Sequence, residues 1–263
     1  MYEDYQTLLC KRNGHILTIT MNRPEVRNAA NMVMHNELSR IFRDVAKDEQ
    51  TRVVILTGAG SAFSAGGDIM SMQQKIVDRT LWVQTVVEAR EIFYSMLDLE
   101  KPIIARVNGH ASGLGATLAV YADITVAVEE AKFSDPHVKV GLTAGDGGAL
   151  MWPMLIGFQR AKEYLFLGDA LSARDAERVG LINYCVPAFE LDGKVDELAE
   201  RLARGATRAI GWTKLAINMS LRQMALSSME IGLSLETLSQ MSADHAEAVD
   251  AFAAKREPRF VGK

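Results

Sequence analysis

Cysteine is scarce in this chain of 263 residues: only Cys10 and Cys185, far apart and each in an apolar, strand-like run. They give no disulfide framework, and packed thiols in a reducing, cytoplasmic compartment are the expectation. Basic blocks are missing too. Lys and Arg number 29 against 33 Asp and Glu, for a net charge of -4 and a pI near 5.8, which argues against nucleic acid as a partner. No apolar run approaches the roughly 20 residues that span a bilayer. The acidic start MYEDYQTLLC has no long apolar segment of the kind that makes a secretory signal, so no membrane partner is expected. No pair of His, Cys, Asp or Glu residues has the spacing of metal ligands, and no metal is expected. Gly58-Ala59-Gly60 and Gly113-Leu114-Gly115 are only fragments of a dinucleotide fingerprint, without its acidic residue. Ser112 lies in a glycine-rich turn that lacks the Gly-x-Ser-x-Gly elbow of a hydrolase nucleophile.

What is present is a composition of 48% hydrophobic and 24% charged residues, sized for one large domain or a domain with an appendage. The stretch from Lys101 to Ile124 is the most informative. Ile103-Ile104-Ala105 reads as a strand covered on both faces. The chain then breaks at Asn108-Gly109, passes Gly113 and Gly115, and continues through Ala116-Thr117-Leu118-Ala119-Val120 as an uncharged helix. A glycine-rich turn that opens a buried helix gathers free N–H groups and the positive end of a dipole, a place that favours a negative oxygen.

Around it, Tyr5–Lys11 and His15–Met21 read as strands of a hairpin turning at Asn13-Gly14. Asn31 caps a helix to Lys47. Arg52–Thr57 is a strand, followed by the small-residue loop Gly58–Asp68. Ile69–Val77 is a short helix, and a longer one ends near Leu99. Ile124–Val128 is a strand, Ala131–Gly141 a short strand and loop, and Asp146 begins a helix through Ile156. Ser172 with Asp175 forms a capping-box-like start. Ile182–Pro187 is a last strand, followed by helices over Asp192–Arg204, Ala209–Met224 and Ser228–Lys255. Strands alternating with helices give an α/β core over residues 1–187, and residues 188–263 form a helical region suited to an oligomer interface.

The loops Gly58–Asp68 and Asn108–Gly115 both follow buried strands and end at helix starts. Adjacent parallel strands bring such loops to one carboxyl edge, where an N–H from each can hold a single carbonyl oxygen. The segments Asn22-Arg23-Pro24, Asn28-Ala29, Phe63-Ser64-Ala65-Gly66-Gly67-Asp68-Ile69, Asn108-Gly109-His110-Ala111-Ser112-Gly113-Leu114-Gly115, Ala122-Asp123-Ile124 and Glu257-Pro258-Arg259-Phe260 together resemble, in order and over nearly the whole chain, the crotonase (enoyl-CoA hydratase/isomerase) family. That resemblance implies a spiral of ββα units with a helical C-terminal region, trimers or hexamers of the chain, and an acyl-CoA substrate, with coenzyme A entering as part of the substrate and no separate cofactor. It implies oxyanion N–H groups from Gly67 and Leu114. It places coenzyme A against Arg27 and Ala29 and against Ala65, Asp68 and Ile69, with Asp68 also bracing its loop.

The family's hydratases use two glutamates. The positions where the resemblance would place them hold Thr117 and His137. Asp-Pro-His stands in place of a proline-glutamate pair, and Asp146 follows at the start of a helix. A histidine oriented by a carboxylate is an acid–base pair suited to proton transfer near neutrality. This pair resembles a branch of the family typified by 6-oxocamphor hydrolase, which cleaves a carbon–carbon bond between two carbonyls. That branch has a histidine near the second oxyanion position, where this chain has Leu114. Outside the family frame the same residues have plain roles: His137 in a loop, Asp146 as a helix cap, Thr117 as a pocket wall, Arg27 as a solvated charge. Glu88 and Glu91 read either as groups reaching the pocket from the helix after the first loop or, more plainly, as solvent-facing helix charges. Three expectations stand: an acyl-CoA enzyme with His137 moving the proton, a carbon–carbon bond hydrolase, and a silent acyl-CoA-binding subunit.

Overall fold

The computed structural model describes residues 2–263. Its first elements are β1 (Leu8–Asn13) and β2 (Ile16–Met21), an antiparallel hairpin in which Asn13 pairs with Ile16. Asn31 then caps α1 (Met32–Lys47), its side chain accepting from the Met34 N–H at 3.0 Å. Met34, Leu38, Ile41, Phe42 and Val45 bury one face of α1.

Three successive passes of the chain then repeat one plan. β3 (Val53–Gly58) leads to β4 (Ala62–Ser64) and to the helices α2 (Ile69–Val77) and α3 (Arg79–Asp98). β5 (Ile103–Val107) leads to β6 (His110–Ser112) and α4 (Leu114–Tyr121). β7 (Ile124–Val128) leads to β8 (Lys132–Ser134), then to α5 (Gly148–Ile156) and α6 (Phe158–Leu167). The long strands stack in the order β1-β2-β3-β5-β7-β10, parallel after the hairpin, where β10 is Tyr184–Val186. The short strands form a second sheet in the order β4-β6-β8-β9, where β9 is Leu171–Ser172 and α7 (Ala173–Val179) follows it. This is the expected spiral of ββα units. β3 is buried at every position, as its unbroken apolar centre requires.

Helices α8 (Leu191–Arg204), α9 (Thr207–Gln240) and α10 (Ala243–Ala253) complete the chain. α8 packs on β3 and β7, α9 on α3 and α5, and α10 on α2. None of the helices is long and apolar enough to cross a membrane.

Four local expectations are corrected. The loop Gly58–Asp68 contains β4, because Ala62-Phe63-Ser64 extends the second sheet. Residues after Ser134 leave β8, and His137 sits in a 3-10 turn, His137–Val140. Gly147, not Asp146, caps α5. Finally, α9 is one helix of 34 residues, and the break falls at Met241-Ser242, where the Ser242 hydroxyl accepts from the His245 N–H.

Candidate active site

The first amide is aimed by main-chain pairing. Ala30 and Gly67 form a single parallel bridge: the Ala30 N–H donates to Gly66 O at 2.7 Å, and the Asp68 N–H donates to Ala30 O at 3.1 Å. Gly67's own N–H therefore points to the other side of the strand, and it meets no acceptor among the described residues. Buried Asn28 holds this turn, its side-chain amide donating to the carbonyls of Ala59 (2.8 Å) and Ala62 (2.9 Å). Asp68 closes the loop, accepting from the Ser71 N–H at 3.2 Å and pairing with Arg23 at 3.0 Å.

The second amide comes from the start of α4. The Gly113 N–H donates to Ser134 O at 2.9 Å, which ties the turn to β8. Leu114 is the first helical residue, so its N–H has no acceptor within the helix. The two loops touch: a Cβ added to Gly66, whose φ is +89°, would stand 2.7 Å from Ser112 O. Any side chain there would push the amides apart. A Cβ on Gly113 would lie 4.0 Å from His137 Cε1, so the imidazole borders the same turn.

The histidine is held differently from expectation. Asp135, two residues earlier across Pro136, accepts a hydrogen bond from His137 Nδ1 and is almost fully buried. Asp146 instead faces the other nitrogen, with Oδ2 at 3.8 Å from Nε2. The orienting carboxylate is therefore Asp135, because the proline turn folds it back onto its own ring. Glu236, from α9, places Oε1 at 4.0 Å from the same Nε2. Main chain fixes this last approach. A Cβ on Gly145 would stand 2.2 Å from Gly232 O, so the loop carrying Asp146 rests on the α9 backbone one turn before Glu236.

Charge follows from the burial. Burial opposes a charge on His137, but Asp135, then Asp146 and Glu236, outweigh it and lift its pKa well above the usual 6.5. Burial, with the charge of Asp146, pushes the Glu236 carboxyl up to about 8. Burial also raises Asp146. Near neutral pH the cluster thus holds an imidazolium and a protonated glutamate. Asp135 Oδ2, Asp146 Oδ1 and the Thr117 hydroxyl are buried without a hydrogen-bond partner.

Gly67, Leu114, His137, Asp146 and Glu236 all line one cavity of about 530 Å³. Ala29, Ala65, Asp68 and Ile69 line it as well. With two free amides and an imidazole facing one cavity, the relatives are informative. A profile of the enoyl-CoA hydratase/isomerase family matches residues 11–263. The chain belongs to the enoyl-CoA hydratase/isomerase family. It is 37% identical to the 1,2-epoxyphenylacetyl-CoA isomerase of Escherichia coli, over 94% of this chain and 95% of that protein. An enoyl-CoA hydratase/isomerase of Mycobacterium paratuberculosis superposes with a TM-score of 0.91 at 35% identity, over 94% of this chain and 99% of the other. A β-diketone hydrolase of the cyanobacterium Anabaena, solved with (S)-3-oxocyclohexyl acetic acid, superposes with a TM-score of 0.85 at 29% identity, over 91% of this chain and 96% of the other.

As an enoyl-CoA hydratase/isomerase family member, the chain departs from expectation at three points. Thr117 is buried but does not line the cavity; its side chain stands next to Asp146. Arg27 is exposed and also stands off the cavity, contributing its carbonyl, which accepts from the Ala65 N–H at 2.9 Å. Glu88 is not solvent-facing: it is buried, accepting from His35 Nδ1 at 2.6 Å and from Asn36 and Gln84. Glu91 pairs with Arg43. Sequence reasoning missed Asp135 and Glu236. The available signal for Asp135 was its place two residues before His137 across a proline.

Proposed function

We propose that this enzyme binds the thioester carbonyl of an acyl-CoA between the N–H groups of Gly67 and Leu114 and moves a proton beside it with His137. The observation that carries the reading is that Gly67 and Leu114, whose N–H groups have no acceptor among the described residues, line one cavity together with His137. Two N–H donors stabilise the negative oxygen of an enolate more than the neutral carbonyl, which lowers the barrier to removing a proton from the α carbon. Asp135 fixes the ring, so that Nε2 and its proton face Asp146 and Glu236. Asp146, as a carboxylate, takes the α proton, the His137 imidazolium gives its Nε2 proton to the γ carbon of the resulting dienolate, and Asp146, 3.8 Å away, then passes its proton back to Nε2. Coenzyme A runs out past Ala29 and Ala65, with no further cofactor.

The absence of glutamate at positions 117 and 137 favours double-bond isomerisation over hydration. Isomerisation needs one proton-carrying group rather than a water held between two carboxylates. A β,γ-enoyl-CoA in deuterated buffer should give the conjugated isomer with deuterium incorporated, read by mass spectrometry. Neither isomer shift nor deuterium uptake across a range of chain lengths would end this reading.

A second reading is hydrolytic opening of a cyclic β-keto acyl-CoA. It is favoured by the imidazolium with three carboxyl groups around it and by the likeness to the Anabaena β-diketone hydrolase. Water adds to the ketone carbon, the ring C–C bond breaks, and its electron pair forms the thioester enolate. The α carbon then takes a proton from His137. Ring opening without isomerase activity would favour this reading.

We also infer a homo-oligomer, a trimer or hexamer. Trp212, Ile217, Leu226, Ile231 and Leu238 lie exposed along α9, large apolar side chains of the kind a subunit interface covers. Sedimentation of a monomer at micromolar concentration would refute it.

A further inference from the structure

On the wall of the same cavity stands a charge that no mechanism above uses. Lys75 lies on α2, six residues beyond Ile69, so about 9 Å along the helix from the first oxyanion loop. It is 8% exposed and lines the cavity, with Nζ 5.9 Å from the centre of the Trp82 ring. Its carbonyl accepts from Gln240 Nε2 at 3.1 Å, while Nζ meets no acceptor among the described residues. Of the nearby carboxyls, Asp68 pairs with Arg23, and neither it nor Glu88 nor Glu236 comes within ion-pair distance of Nζ. Glu88 has both oxygens engaged by His35, Asn36 and Gln84. Glu236 keeps its proton near neutral pH. Burial correspondingly pulls the lysine's own pKa down.

An unpaired buried ammonium costs several kcal/mol unless an anion completes it. The aromatic face of Trp82 offsets only a small part. A ketone or hydroxyl could accept one hydrogen bond from it, but a compact, strongly hydrated cation is repaid for its lost water only by opposite charge. Trp82, Thr85 and Val86 line the same cavity as Lys75.

We propose that Lys75 receives a carboxylate at the far end of the acyl group, so that the ligand is a coenzyme A monothioester of a dicarboxylic acid. This rests on the acyl-CoA reading and narrows it. Ring opening of a cyclic β-keto acyl-CoA produces a ligand of this class. The pocket thus selects by a charge pair at one end and a carbonyl clamp at the other.

The test is calorimetric binding of saturated thioesters, which do not turn over. Adipoyl-CoA is compared with hexanoyl-CoA, and suberoyl-CoA with octanoyl-CoA. The wild type should bind at least one diacid thioester about tenfold or more tighter than its methyl-ended partner, the usual scale of a charge-assisted hydrogen bond. Lys75→Met should abolish that preference while leaving hexanoyl-CoA binding in place, and Lys75→Arg should keep most of it. Lys75→Met also removes a buried charge, so its unfolding temperature should not fall. Equal binding of both members in each pair, or a preference that survives Lys75→Met, overturns the proposal alone. Failure of all four thioesters to bind overturns the acyl-CoA reading with it.

Discussion

Gly67 and Leu114 offer main-chain groups to the cavity, whereas Asp135, His137, Asp146 and Glu236 offer side chains, and the two walls differ in what fixes them. The amide wall is set by strand pairing and a helix start. Its parts lie in two short segments, and almost any side chain could replace Leu114 without moving its N–H. The proton wall is gathered from three segments, including a helix far along the chain, and each member needs its own chemistry. A substitution therefore breaks the amide wall only by changing backbone, and the proton wall only by changing side chains.

The largest expected effect follows from this contrast. Leu114→Pro removes the second N–H at the first position of a helix, where proline is tolerated. Turnover should fall about 10³-fold with the helix content unchanged by circular dichroism. His137→Ala should fall about 10²-fold and flatten the pH profile, which Leu114→Pro should not do. If the two variants lose pH dependence alike, the walls do not act separately.

A smaller effect tests Glu236. In the folded chain this carboxyl holds its proton up to about pH 8, against an ordinary value of 4.5. The folded state binds the extra proton across that window, so stability is full at low pH and declines as pH rises from about 4.5 to about 8. His137 and Asp146, whose values are also raised, act with the same sign. Glu236→Gln cannot titrate, and its unfolding temperature should drop less over that range than the wild type's. An identical slope would mean that Glu236 does not carry this proton.

The amide wall was the legible one. Buried runs such as Ile103-Ile104-Ala105, followed by glycine, mark both strand ends and both turns, because periodicity and glycine act locally. The family segments then fixed the register. The proton wall was read only in part. His137 and Asp146 stood out as replacements, but their geometry depends on Pro136 folding Asp135 back, which spacing does not give. Glu236 lies on the face of its helix that the sequence pattern does not mark. The apolar residues at helical spacing, Ile231, Leu235 and Leu238, are 61%, 48% and 65% exposed. The buried face is Met229, Leu233, Glu236 and Gln240, where a carboxyl and an amide break the apolar pattern. Lys75 was equally unreadable, because a helix lysine is ordinarily solvated.

The Gly145–Gly232 contact has a practical outcome for anyone who would retune this enzyme. It acts as a mechanical stop without adjustment, since backbone bears directly on backbone with no flexible chain between. A single methyl at either glycine would work as a shim that forces the two segments apart. Both the tip that carries Glu236 and the outer surface by which copies of the chain would join move with it. Reaction, and any joining of copies through α9, would therefore be geared to one point, and a library that varies α9 for new substrates should leave those two glycines alone.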